Sequence, residues 1–148
     1  KLAMQDGEKK LVDLETYGSN SLSAPPVALR NLLERLVILL APQLAGKIQV
    51  RRNYETLPAI SVPVPPLIQL LRILLAETIA AMSGDGGHLY LTLKKKEGEW
   101  ELGLQGDAPV RLRQKNREIL RTLQKELGLS VTQTRPEKGN LFLIRRPL

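Results

Sequence analysis

LPAISVPVPPLIQLLRILLAETIAAMSGDGGHLYLTL, residues 57–93, carries the clearest structural signal in the chain. Its middle places Leu67, Leu70, Leu71, Leu74, Leu75, Thr78, Ile79 and Met82 at alternating steps of three and one, which is one face of a helix. Pro65 and Pro66 suit its first turn, where the backbone N–H has no intrahelical acceptor to lose. Ser83–Gly87 is then a turn, and His88–Lys94 (HLYLTLK) alternates as a strand does. Upstream, Ala59–Val64 is short and β-branched and reads as extended chain.

Working outward, Glu99–Leu104 (EWELGL) forms a hairpin with His88–Lys94 across Lys95–Gly98. Val110–Leu127 is a very basic helix, with Ile119, Leu120, Leu123 and Leu127 turned inward, Asp107 as N-cap and Gly128 as C-terminal stop. Val131–Arg135 and Leu141–Arg146 make a last hairpin. On the other side, Lys47–Tyr54 alternates as a strand. Ala24–Leu40, extending as far as Leu44, spaces Leu29, Leu32, Leu33, Leu36 and Leu40 as a helix, capped by Ser23, with Pro25 and Pro26 in its first turn and Gly46 at its end. Leu11–Tyr17 (LVDLETY) reads as an edge strand. The order β-α-β-β-α-β-β-α-β-β, with its strands in hairpin pairs, predicts a two-layer α/β sandwich. Its mixed, mostly antiparallel sheet would be covered on one face by three helices. Residues 1–10 read as a disordered or expression-derived segment, and residues 11–148 as one domain.

Composition excludes several classes of function. No cysteine is present among the 148 residues, so disulfides, thiol catalysis and cysteine metal sites are ruled out. The one histidine, His88, rules out a multi-histidine metal site and lies at a strand start, where a structural or surface role is expected. No uninterrupted apolar run approaches the roughly 18 residues that span a bilayer. The polar start lacks the apolar centre of a signal peptide, so a cytoplasmic location is expected, with no membrane contact in this stretch. The chain begins at lysine and reads as a piece of a longer protein. The formal charge of +7 suits an acidic partner without choosing among protein, membrane and nucleic acid. Aromatics at 3%, and the absence of helix-turn-helix, zinc and RNA-binding signatures, weigh against nucleic acid. Gly84–Gly87 is not a phosphate loop, because it follows a helix and precedes a strand.

These phrases resemble the ATPase domain of sensor histidine kinases, the Bergerat (GHKL) fold, over roughly Leu11–Leu148. Leu67, Gln69, Leu71, Leu74, Leu75, Ile79 and Ala81 fall in register with that family's helix L-x-Q-x-L-x-N-L-L-x-N-A-x-x-A. Gly139–Ile144 with Pro147 is similar to its last strand. The resemblance implies ATP held through a magnesium ion on a helix asparagine. An aspartate in D-x-G-x-G accepts from adenine, and a glycine-rich lid lies around the phosphates. Here Glu77 stands at the asparagine position and Ile73 one turn earlier. Gly106 replaces the adenine aspartate and Ala108 the first glycine, while Asp107 reaches that place only by a one-residue slip that turns it to the other side of the strand. Pro109 runs almost directly into the last helix, with no lid between.

The resemblance with these departures implies a non-catalytic signalling module with no cofactor. It would be the pseudo-ATPase domain of a sensor-kinase-like protein or of a histidine phosphotransferase. Its partner would be a response regulator or its own histidine-bearing helical hairpin, with dimerisation through an upstream region. Arg113, Arg117 and Arg121 head the basic surface expected to meet that partner. An active ATP-dependent histidine kinase using Glu77 for magnesium and Glu77 with Asp107 for nucleotide is the alternative; a basic nucleic-acid-binding domain is the second. Read alone, Glu77 beside an apolar stripe is a solvated helix residue.

Overall fold

The computed structural model describes residues 26–136 and 139–148. The elements are β1 (Pro26–Val27), α1 (Leu29–Leu39), α2 (Ala41–Leu44), β2 (Ile48–Tyr54), β3 (Ile60–Ser61), α3 (Val64–Ala81), β4 (Gly87–Lys96), β5 (Glu99–Gly106), α4 (Gln114–Leu127), β6 (Ser130–Thr134) and β7 (Asn140–Pro147). Five strands form one sheet in the order β2-β4-β5-β7-β6. Only β2 and β4 run parallel, from Ile48↔Gly87 to Tyr54↔Leu93, and the other three pairs are antiparallel. The expected mixed, mostly antiparallel sheet is therefore present.

Alternation along the strands decides which face is covered. Leu89, Leu91 and Leu93 on β4 face the core beside Trp100, Leu102 and Leu104 on β5 and Phe142 and Ile144 on β7, all 1% exposed or less. Tyr90, Thr92 and Lys94 point to the opposite, open face. The core face meets α1 through Leu29, Leu32, Leu33 and Leu36, α3 through its leucine stripe, and α4 through Leu120, Leu123 and Leu127, in one continuous apolar cluster. The helix α3 has 18 residues and a mean hydropathy of 1.5, a length and composition that could cross a membrane. In this fold Leu67, Leu70, Leu71, Leu74 and Leu75 are fully buried against the sheet.

Three boundaries differ from the sequence reading. The first helix begins at Leu29, because Pro26 and Val27 pair as a strand with Ser61 and Ile60. Extended pairing suits a proline, which has no N–H to give a helix. Pro42 then breaks the helical run by denying an N–H to the preceding turn, and α2 starts afresh. The left-handed exit from α2 is taken by Ala45 (φ 50°) as well as Gly46 (φ 72°). The last helix begins at Gln114 with Arg113 as N-cap, not at Val110. Val110 is held in extended chain, its carbonyl accepting from Gln133 Nε2 (2.8 Å) and Arg135 Nη2 (3.3 Å). The expected strand at Leu11–Tyr17 and the Ser23 cap lie outside the described residues. Gly86 is the glycine that geometry demands: its φ is +77°, and a Cβ there would lie 2.7 Å from the Lys47 carbonyl oxygen where β2 meets β4.

Candidate functional site

A trough of about 890 Å3 lies between α2, α3 and α4. Helical periodicity puts Ile68, Arg72, Ile73, Ala76, Glu77 and Ala80 on this outer side of α3, while the leucine stripe faces the sheet. Arg113, Lys115, Asn116 and Ile119 close the trough from the start of α4.

The Glu77 side chain is only 14% exposed. Its Oε2 accepts from Asn116 Nδ2 at 2.5 Å and lies 3.4 Å from Arg113 Nη2. The expectation of a solvated glutamate is corrected: α4 packs beside α3 and its first turn supplies a donor and a cation. An asparagine in a basic helix gives no sign of this in the sequence, since the pairing depends on which turn of α4 faces α3.

At the end of β5 the adenine-acceptor position is filled by packing. A Cβ at Gly106 would lie 2.6 Å from Thr78 Cγ2 and 3.3 Å from Met82 Cε. Thr78 and Met82 are 0% and 2% exposed, and Thr78 Oγ1 donates to the Leu74 carbonyl at 2.8 Å. No aspartate fits there without moving α3 from the sheet. Asp107 does not take over that role. Its Oδ2 accepts from the His88 backbone N–H at 2.7 Å and lies 3.1 Å from His88 Nδ1. Asp107 is not the N-cap of the last helix either, since Arg113 holds that position. His88 thereby has a structural role, tying the start of β4 to the end of β5, and its ring stacks on Tyr90 with centroids 5.8 Å apart.

Glu77 and Asp107 are not brought to one site: Glu77 lines the trough, and Asp107 is turned to His88. The residues between β5 and α4, Asp107–Arg113, include no glycine whose amide could approach a phosphate. Among the described residues no group of three or more histidine, aspartate or glutamate side chains could hold a metal ion. The residues present do not fit magnesium-bound ATP in the way the sequence resemblance implies. Thr78 and Met82, which close the Gly106 position, were expected only as members of the buried stripe, and Asn116, which occupies Glu77, was not singled out by the sequence.

The perturbed carboxylates lie elsewhere. A hydrogen bond from Arg52 Nε (2.7 Å) holds Glu34 below the usual glutamate range against the opposing effect of burial, with Tyr54 Oη also donating to it. Burial, then that same hydrogen bond, pushes the Tyr54 phenol up. Burial would raise Glu101, but Arg145 Nε at 2.7 Å and Lys96 outweigh it and lower it. These pairs tie α1 to β2 and β5 to β7, and none of them lines the trough.

Arg113, Arg117 and Arg121 stand four residues apart in a row along α4 and are exposed, as expected of a basic surface. Arg113 reaches Glu77, and Arg117 Nη2 donates to Gln114 Oε1 at 2.8 Å.

No family model and no curated protein matches the sequence. Solved structures do match by shape. The catalytic domain of histidine kinase ThkA superposes with a TM-score of 0.72 at 14% identity, covering 83% of this chain and 95% of that one. The cytoplasmic segment of histidine kinase QseC gives 0.70 at 18% identity, over 98% of this chain and 89% of that one. The Acinetobacter baumannii histidine kinase AdeS gives 0.72 at 12% identity, over 99% and 81%. The five-stranded mixed sheet, the three helices on one face and these superpositions agree: this chain has the fold of the histidine-kinase ATPase domain.

Proposed function

We propose that the domain is a non-catalytic signalling module of a two-component system, a decayed ATPase domain that acts through protein contacts in the cytoplasm. It would serve a sensor-kinase-like protein or a histidine phosphotransferase, meeting a response regulator or the histidine-bearing hairpin of its own protein. The observation that carries this reading is the packing of Thr78 and Met82 against Gly106, which leaves no space for an adenine-binding carboxylate. The engagement of Glu77 by Asn116 and Arg113 supports it, since a magnesium ion would have to displace both.

Thermal unfolding with millimolar ATP and magnesium tests the reading. A ligand bound only by the folded state raises the midpoint by mass action, reaching about 2.7 kcal/mol at a hundredfold excess over Kd. No shift is expected. The alternative of an active kinase domain draws on the volume of the trough beside Glu77, which suits a small ligand. A shift that disappears in Glu77→Ala would establish that alternative. For the partner, charge reversal at Arg113, Arg117 and Arg121 is expected to slow association with an acidic regulator surface and to flatten its salt dependence, with the Arg113 change also costing some stability through its pairing with Glu77.

A further inference from the structure

We infer that the trough between α2, α3 and α4 docks an acidic amphipathic helix of a partner protein, an inference that rests on the reading above that the domain works through protein contact. Shape is the first argument. The lining runs nearly the whole length of α3, from Pro65 to Ala80, and on to Ser83 just past its end, at steps that return to the same face each turn. At 1.5 Å per residue that is roughly 27 Å, the length of a five-turn helix. A rod fits such a space, and a compact metabolite fills only part of it.

The floor is the second argument. A helix buried on one face normally presents polar residues on the other. The helix α3 carries Ile68, Ile73, Ala76 and Ala80 as well as Gln69, Arg72 and Glu77 on its outer side; the four apolar residues are each partly or fully exposed, and Ile119 of α4 continues their surface. Ala76 and Ala80 leave room for another backbone to approach. Such a groove receives the apolar stripe of an amphipathic helix, at positions i, i+3, i+4 and i+7.

The rim gives the partner its sign. Arg72, Arg113 and Lys115 border the trough, and the single carboxylate among its lining residues, Glu77, is already held by Asn116 and Arg113. Carboxylates flanking the stripe of the incoming helix would meet these cations. A second copy of this chain is disfavoured by its charge of +7 and by the cationic rim it would have to face. Nucleic acid is disfavoured by a floor of aliphatic side chains with no aromatic ring on which a base could stack.

The test uses two synthetic 18-residue helical peptides with the same leucine stripe, one flanked by glutamates and one by lysines, titrated into the full chain with amide chemical shifts as the readout. The glutamate peptide is expected to shift Ile68, Ile73, Ala76 and Ile119 and to bind at least about tenfold more tightly than the lysine peptide. Ala76→Trp, which fills an exposed position of the floor, is expected to weaken it about tenfold. Arg72→Glu with Lys115→Glu is expected to do the same. Arg51→Glu with Lys94→Glu, an equal change of charge on the open face of the sheet, is expected to leave affinity nearly unchanged at moderate salt. The inference is overturned if the lysine peptide binds as well, if the shifts map outside the trough, or if Ala76→Trp has no effect. A parallel titration with a non-hydrolysable ATP analogue and magnesium separates the two claims. Binding there would defeat the non-catalytic reading, whereas peptide failure without nucleotide binding defeats only the docking site.

Discussion

Gly106 shows how a single residue can set how closely a helix packs on a sheet. A glycine at the end of a core strand lets α3 lie close enough for Thr78 and Met82 to pack on the strand backbone. Placing aspartate at this position is therefore expected to destabilise the fold by more than the roughly 1–3 kcal/mol of overpacking alone, since a charge is buried with it, and not to confer nucleotide binding. A lower unfolding midpoint in Gly106→Asp, unmoved by ATP and magnesium, is the outcome to look for. Glu101 makes a second case. Its side chain is 7% exposed and is held by Arg145, itself 36% exposed, so the pair is neither fully dry nor fully screened. Glu101→Gln is expected to cost about 1–2 kcal/mol at neutral pH. Because the folded state lowers the Glu101 pKa, its contribution is complete above the ordinary glutamate value of 4.5 and is lost as pH falls through the folded value below it. The stability difference between Glu101→Gln and wild type should therefore shrink as pH is lowered past 4.5, which chemical denaturation at several pH values would measure.

At the scale of elements, α3 supports both the core and the trough. Its inner face is fully buried at Leu71 and Leu74. Leu74→Ala is expected to cost about 2–5 kcal/mol through the cavity it leaves. Leu71→Asp or Leu74→Asp is expected to abolish cooperative unfolding, because an unpaired charge in the core costs as much as a domain's whole stability. Calorimetry distinguishes the two outcomes, and a soluble, cooperatively folded Leu71→Asp/Leu74→Asp double variant would contradict the packing described. The start of α4 matters differently. It gives up the four residues Val110–Arg113, so that the Val110 carbonyl can receive Gln133 and Arg135, and it turns Arg113 and Asn116 toward Glu77. Asn116→Ala should leave a nearly buried carboxylate short of a donor, a loss of about 1–3 kcal/mol readable as a lower denaturation midpoint.

On the scale of the whole molecule, one apolar cluster joins all three long helices to the sheet. With no division of that core, unfolding is expected to be two-state. Trp100, fully buried on β5, is the sole tryptophan and reports on the middle of the sheet. Its fluorescence and the far-ultraviolet helix signal should change at the same denaturant concentration. Separate transitions would mean that α4 and the β6–β7 hairpin open independently of α3.

Much of this fold was legible in the chain because its signals are periodic. The leucines of α3, the alternation of β4, β5 and β7, and Gly128 at the end of α4 are each specified by neighbours within a few residues. The resemblance carried by residues 57–93 led to the same architecture as the superpositions. The fate of Glu77, the engagement of Asp107 by His88 and the closure at Gly106 were not legible. Each depends on side chains 19 to 39 residues apart that meet only when α3, α4 and the ends of β4 and β5 are packed together. The start of α4 misled for the same reason, since a carbonyl claimed by β6 outweighed local helix propensity. The sequence alone determined the order and periodicity of the elements and the buried stripe of each helix. The tertiary structure decided which charges are paired, which position is closed and where an open, cation-rimmed surface remains. Periodicity is a local property of the chain, whereas satisfaction of a buried polar group is a property of whatever folds against it.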